Sequence, residues 1–331
     1  MGKFFLKFQS TEGMLRWLVW IALSIITLVD FLGIQAGGVT LILDYELING
    51  VMSAVFVAVI FATITRIVAR NSLKDGYTKF SNFFYKSSVF LDMVAYFFLF
   101  IPLFVVFSYL ATISQHPLYD DNFYHFDKSL GFNWLNYLNL VNRNAWLNGL
   151  LEGAYHSTFQ IPTLFLGLAV FGKHIRLYSV MLSLILSVII CIIVSHFFPA
   201  VGNATYLGID PQKFPNVEMA AGYVQVADLH QMREGSRTID LSQMKGVITF
   251  PSFHTCLAII LAWGFWSVRL LRYPFLLVNM VMLAAIPVTG GHYLADMVAG
   301  AVIALLVISG TSRFTSWHEE LVRVESSAIR N

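Results

Sequence analysis

The chain has 331 residues, of which 57% are apolar and only 12% charged, with a formal net charge of +2 at pH 7. A soluble domain averages about 45–50% apolar and about 25% charged residues, so a wholly water-facing surface is excluded and lipid must solvate much of the molecule. No Lys/Arg-rich block or RNA-type aromatic motif is present, which argues against nucleic-acid partners.

Membrane-spanning helices need roughly 20 mainly apolar residues, and windows of that size give eight candidates. They are Leu15–Ile34, Asn49–Ile67, Val89–Ile113, Ala154–Phe171, Leu177–Phe198, His254–Val268, Pro274–Val288 and Tyr293–Ser309. The fold class expected is therefore an all-α polytopic membrane protein with about eight transmembrane helices. The first apolar run exceeds the ~7–15 residues of a signal-peptide core and lacks a small-residue cleavage site, so it reads as a retained helix. The cytoplasmic stretch Arg66 to Lys86 separates the first two helices from the rest. Residues 1–85 are read as an accessory N-terminal helix pair beside a six-helix core, with 86–331 as the catalytic membrane domain.

Eight crossings put both termini on one side, and charge chooses which. The N-terminus, Arg66 to Lys86, Lys173 to Arg176, Arg269 to Arg272 and the C-terminus together hold 15 of the 21 Lys and Arg residues. Positive residues collect on the cytoplasmic side, so both termini are expected there. The long loops 114–152 and 199–252 then face a periplasm, cell exterior or organelle lumen. The first contains Trp134, Tyr137, Leu138 and Leu140, spaced to lay an amphipathic helix along the interface. Cys191 and Cys256 match no metal or redox spacing and read as small core residues.

Ionisable residues within membrane spans are costly and tend to mark function. Here they gather at the outer ends of the last helices, as Pro251-Ser-Phe-His-Thr255 and Gly290-Gly-His-Tyr-Leu-Ala-Asp296. His292 and Asp296, four apart, share one helix face. The carboxylate can orient the ring and leave its second nitrogen as a nucleophile, while His254 can protonate a leaving group. Three other readings stay open on the residues alone: a structural polar contact, a metal site of two His and one Asp, and a proton relay in a transporter. Against the last, transporter sites lie near the midplane, whereas these residues cluster at one face.

The strings Phe250-Pro-Ser-Phe-His-Thr255 and His292-Tyr-Leu-Ala-Asp-Met-Val-Ala-Gly300 resemble the second and third motifs of the type 2 phosphatidic acid phosphatase superfamily. The branch resembled includes inositol phosphorylceramide synthase and sphingomyelin synthase. Asp127-Lys-Ser-Leu-Gly-Phe-Asn-Trp134, Phe198-Pro-Ala-Val-Gly202 and Met232-Arg-Glu-Gly235 are similar to bacterial members of that branch, and the likeness covers about residues 90–310. It implies a metal- and cofactor-independent hydrolase or phosphotransferase acting on a phospholipid, polyprenyl or sphingolipid phosphate. It also implies roles: His292 attacks phosphorus and becomes a phosphohistidine, Asp296 holds its ring, and His254 protonates the departing alcohol. Ser252, Thr255 and the amides opening that helix are expected phosphate donors.

The chain departs from the superfamily pattern in its cations. No KxxxxxxRP string occurs, Ile286 stands where the third motif has Arg, Ala285 replaces its Ser, and Phe253 replaces the usual Gly. Arg233, Arg237 and Lys245, in that order, are the expected substitutes, since guanidinium grips phosphate bidentately. Tyr155, His156 and Gln160 are expected near the pocket. Asp30 and Asp92 read as packing contacts, His116, His125 and His230 as surface residues, and His174 and His318 as remote from the site.

Overall fold

The structure, a computed structural model, describes residues 10–157, 159–217, 220–242 and 245–328. Apart from a short strand pair it is helical. The first three helices are α1 (Thr11–Gly37), α2 (Tyr45–Lys74) and α3 (Thr78–Thr112), followed by the short α4 (Asp120–Ser129), α5 (Trp134–Asn142) and α6 (Ala145–Tyr155). Then come α7 (Gln160–Val170), α8 (His174–Phe197), α9 (Asn203–Tyr206), α10 (Ala220–Arg233), α11 (Phe253–Phe265), α12 (Arg272–Thr289) and α13 (Leu294–Ala328). Local chemistry sets several starts: the Ser10 hydroxyl accepts from Gly13 N–H at the head of α1, and the Asp44 carboxylate caps α2 through Glu46 and Leu47.

Among the described residues, six helices are long and apolar enough to cross a membrane: α1, α2, α3, α8, α12 and α13. That revises the expected eight. The fourth and sixth expected spans are the short apolar helices α7 and α11. The window Ala154–Phe171 is split because Ala154 and Tyr155 close α6, and the chain then turns before Gln160. The turn is held by the Ser157 hydroxyl on the Ala154 carbonyl and by Gln160 Nε2 on that hydroxyl at 2.6 Å. The lipid-facing exterior is apolar, with Phe56, Leu305 and Leu306 all exposed.

The main core gathers α1, α3, α7, α8, α11 and α13, with α8 at its centre. The expected N-terminal pair is unequal. α1 gives Met14, Leu15, Val19, Leu23 and Ile26 to this core, while α2 buries only Ala58, Ala62 and Ala69. Cys191 and Cys256 are buried free thiols 3.7 Å apart in the same core. Two smaller cores roof the histidine end. One packs α5 and α6 on Ala285, Ile286 and Val288 of α12, and the other packs α10 on Val105, Val106 and Tyr109 of α3. The expected amphipathic helix forms as α5 and buries Trp134 and Leu138, but Val141 takes the inward position and Leu140, expected on the apolar face, is exposed. The Trp134 indole Nε1–H donates to the Pro287 carbonyl at 2.6 Å, one of the orphan carbonyls at the end of α12.

Contacts sort the connections into two ends. β1 (Thr40–Ile42) pairs parallel with β2 (Thr238–Asp240), Thr40 opposite Thr238, so the α1–α2 link shares an end with the segment leading to His254. At the other end Glu12 meets Tyr85 and His174, and Thr11 bonds His318.

Candidate active site

Ser252 sits in an extended conformation and its hydroxyl accepts the Thr255 N–H at 3.3 Å, which starts α11 with His254 in its first turn. The Ser252 N–H donates to the Asp296 carbonyl at 3.1 Å, fastening that turn to the head of α13. Gly300 allows this contact. A Cβ there would lie 2.4 Å from the Ser252 carbonyl oxygen and 3.1 Å from Thr255 Cβ.

His292 lies two residues before α13, which opens at Leu294. With the proton on Nδ1, its ring donates to Asp296 Oδ2 at 2.9 Å, and the same oxygen accepts the Tyr293 N–H at 3.0 Å. Asp296 is fully buried and His292 nearly so. This geometry leaves Nε2 as the ring nitrogen not held by the carboxylate. Burial pulls the His292 pKa down to about 4, opposed by a hydrogen bond with the Thr249 backbone. The neutral imidazole is thus the resting form at neutral pH.

His254 faces this pair. Its ring stacks on Tyr155, with centroids 4.3 Å apart and planes 21° from parallel, and the phenol oxygen is 3.3 Å from Nδ1. Gly290 keeps the gap open, because a Cβ there would meet His292 Cδ2 at 2.6 Å and the Tyr155 hydroxyl at 3.0 Å.

A layer behind the histidines holds the loops. Asp120 and Asp127, seven apart on α4, are both buried. Asp120 accepts the Val201 and Gly202 amides and the Tyr293 hydroxyl, the last two at 2.9 Å. Asp127 accepts the Leu294 and Ala295 amides at 2.9 and 3.2 Å and so caps α13. Desolvation raises both carboxyl pKa values despite the donated bonds. Asn203 donates its side-chain amide to the His292 carbonyl at 3.0 Å and its N–H to the Gly291 carbonyl at 2.9 Å. Gly202 adopts φ +88°, and a Cβ there would come within 2.7 Å of the Gly291 oxygen. Asp120, Asn203 and the Tyr293 phenol were not singled out from sequence. The available signals were Asp127 and Gly202, which end or begin two of the quoted strings.

The structure therefore brings His254, His292, Asp296, Ser252 and Thr255 together. It does not bring the three expected cations into this cluster. Arg233 donates through both terminal nitrogens to the Ser114 and His116 carbonyls at 2.9 and 2.8 Å. Arg237 donates to the Met232 and Ser236 carbonyls. Lys245 lines a cavity of about 320 Å³ beside Tyr109, Asp228 and Asp240. Gln160 binds Asn279 at 2.8 Å within the bundle. Asp92 pairs with Arg66 of α2, as a packing contact would. Among the described residues no three His, Cys, Asp or Glu side chains converge as metal ligands.

The family model described as the PAP2 superfamily matches residues 121–310, more than half of the chain. The chain belongs to the PAP2 superfamily. Its matched range runs from α4 into α13 and encloses Asp127, Gly202, His254, His292 and Asp296. Superfamily members are phosphatases and phosphotransferases acting on phosphorylated lipids, and the six long apolar helices fit a multi-pass membrane protein. Comparison with curated proteins and with solved structures gives no match.

Proposed function

We propose that this PAP2-superfamily protein is a lipid-phosphate phosphatase that works through a phosphohistidine on His292. The observation that carries this reading is the buried 2.9 Å contact between His292 and Asp296, set opposite His254. The Nε2 lone pair of His292 forms the N–P bond as the P–O bond to the lipid breaks, and His254, entering in its protonated form, gives its proton to the departing oxygen. The Nδ1 proton stays on the ring, donated to Asp296, whose negative charge offsets the charge the ring acquires. Water then attacks phosphorus, His254 takes its proton, and the P–N electron pair returns to Nε2.

The two helix N-termini beside the histidines support this assignment of roles. α13 already has the Asp127 carboxylate on its first amides. α11 is capped by the neutral Ser252 hydroxyl, so its positive dipole end is the one left for a phosphate. The 13 residues of α11 rise only about 20 Å, less than the ~30 Å hydrocarbon thickness. With its far end at one membrane surface, His254 sits below the opposite one, and a substrate carrying its own apolar tail is suited to that depth. The charge distribution along the sequence, with 15 of 21 Lys and Arg residues in the segments expected to be cytoplasmic, supports a non-cytoplasmic site and cytoplasmic termini.

Headgroup transfer to a lipid acceptor is the second reading, favoured by the resemblance of Met232–Gly235 and His292–Asp296 to the inositol phosphorylceramide synthase branch. One experiment separates the outcomes. Purified protein is given lipid phosphates, polyprenyl diphosphates and phospholipid donors without added metal. Released phosphate supports hydrolysis, and a new lipid product only when an acceptor alcohol is present supports transfer. Vanadate should inhibit either, and His292→Ala should lower turnover on the order of 10⁴-fold or more. Full activity in His292→Ala, or loss of activity with a chelator, would overturn the mechanism.

A further inference from the structure

At the end of the bundle opposite the histidines, the first turns of α3 and the last turns of α7 enclose a groove of about 530 Å³. That volume falls in the roughly 300–1,000 Å³ range of small-molecule sites. Its existence follows from α7, which ends at Val170 and turns away at Gly172 with φ +67°. Among the described residues nothing covers the walls, where Phe83 and Leu166 are 65% and 53% exposed.

The lining is graded along the helix axis. Lys79, Asn82 and Lys86 stand toward the membrane-surface end, while Phe90, Leu91 and Leu166 form the deep end. From Lys79 to Leu91 an α-helix rises about 18 Å, close to the ~15 Å that one leaflet contributes to the hydrocarbon core. Among the described residues no acidic side chain lines the groove. Lys86 donates one of its three ammonium hydrogens to the Val170 carbonyl at 2.5 Å, an orphan carbonyl of the α7 C-terminus. This bond holds the charge at the mouth and leaves two further donors.

We infer that this groove binds one anionic phospholipid from the leaflet opposite the histidines. The phosphate lies between Lys79 and Lys86, and an acyl chain runs along Phe83, Phe90 and Leu166. Basic pockets between membrane helices select anionic headgroups by charge. A zwitterionic headgroup would bring its own cation against the two lysines. The site is separate from the histidine chemistry and stands or falls without it.

Photo-crosslinking of the full-length protein tests this. The probes are phosphatidylglycerol and phosphatidylcholine, each with a diazirine in an acyl chain, and labelled peptides are mapped. Phosphatidylglycerol should label residues 79–91 or 166–170 about tenfold more than phosphatidylcholine, and Lys79→Gln with Lys86→Gln should erase that preference. Lys79→Gln alone, at an exposed position, gives a variant whose folding is not at issue and should lower labelling several-fold. Leu166→Trp should exclude both lipids by filling the groove. Equal labelling by the two lipids, or unchanged labelling in Lys79→Gln and in the double variant, would overturn the assignment.

Discussion

The two ends of the bundle are held by different chemistry. At the histidine end, Asp127, Asp296 and Asn203 each bond backbone groups of the loop or first turn that carries His292, and Asp120 holds the Val201 and Gly202 amides of the neighbouring loop. At the opposite end, side chains tie helix to helix: Arg66 of α2 to Asp92 of α3 at 2.6 Å, Tyr178 of α8 to the same Asp92, and Glu12 of α1 to Tyr85 and His174. Side-chain pairs fix how helices pack and leave loops free. Carboxylates on amides fix the loop itself, which is what the proposed nucleophile, lying outside a helix, requires.

That contrast can be broken from either side. The largest stability loss is expected for Asp92→Ala, which leaves the Arg66 guanidinium buried and unpaired. The cost should be about 3–5 kcal/mol in thermal unfolding, with kcat of the folded fraction unchanged. Asp120→Ala orphans the Val201 and Gly202 amides and the Tyr293 hydroxyl, and should cost about 3 kcal/mol. Unlike Asp92→Ala, it should also lower kcat, because those groups flank His292. If both variants lost stability and kcat in the same proportion, the division of labour would be wrong.

Smaller effects sharpen the picture at the histidine end. Asp127→Ala removes the cap of α13 and should cost about 1 kcal/mol, again with a fall in kcat. Tyr155→Phe keeps the stack on His254 but loses the hydroxyl contact, so kcat should fall about 2- to 10-fold with KM little changed; a change confined to KM would remove Tyr155 from the proton step. The pH dependence follows from burial of His292, whose pKa falls from 6.5 to about 4. Stability gained by keeping this ring neutral is whole above about pH 6.5 and is lost as pH falls toward 4. The acid limb of kcat/KM should accordingly lie below pH 6.5, and a limb above that value would contradict the buried neutral imidazole.

Much of this was legible in the sequence. Lipid-facing helices need long apolar runs, so seven of the eight windows fall mainly on one helix each, while Ala154–Phe171 is split between α6 and α7. The His292–Asp296 spacing predicted the contact that the structure shows. The start of α7 was not legible, because apolar content runs through the turn before Gln160, whereas α11 is short as its window His254–Val268 indicated. What interrupts the fourth window is side-chain bonding at Ser157 and Gln160. Asp120 and Asn203 were hidden because their partners are backbone groups more than 80 residues away, and such pairings leave no local pattern. The cations show the limit of reasoning by residue type. Arg233 has the right chemistry for phosphate and stands near His254 in sequence, yet its guanidinium binds the Ser114 and His116 carbonyls. Arg233→Ala should therefore show mainly as a lower melting temperature.

The most direct test of the phosphohistidine is to trap it. Enzyme is mixed with phosphorus-labelled lipid phosphate, quenched in alkali within one turnover, digested and mapped. The label should be alkali-stable and acid-labile, sit on the peptide containing His292, and vanish in His292→Ala. Label on another residue, or rapid turnover of a productive substrate with no labelled enzyme at any time, would contradict it.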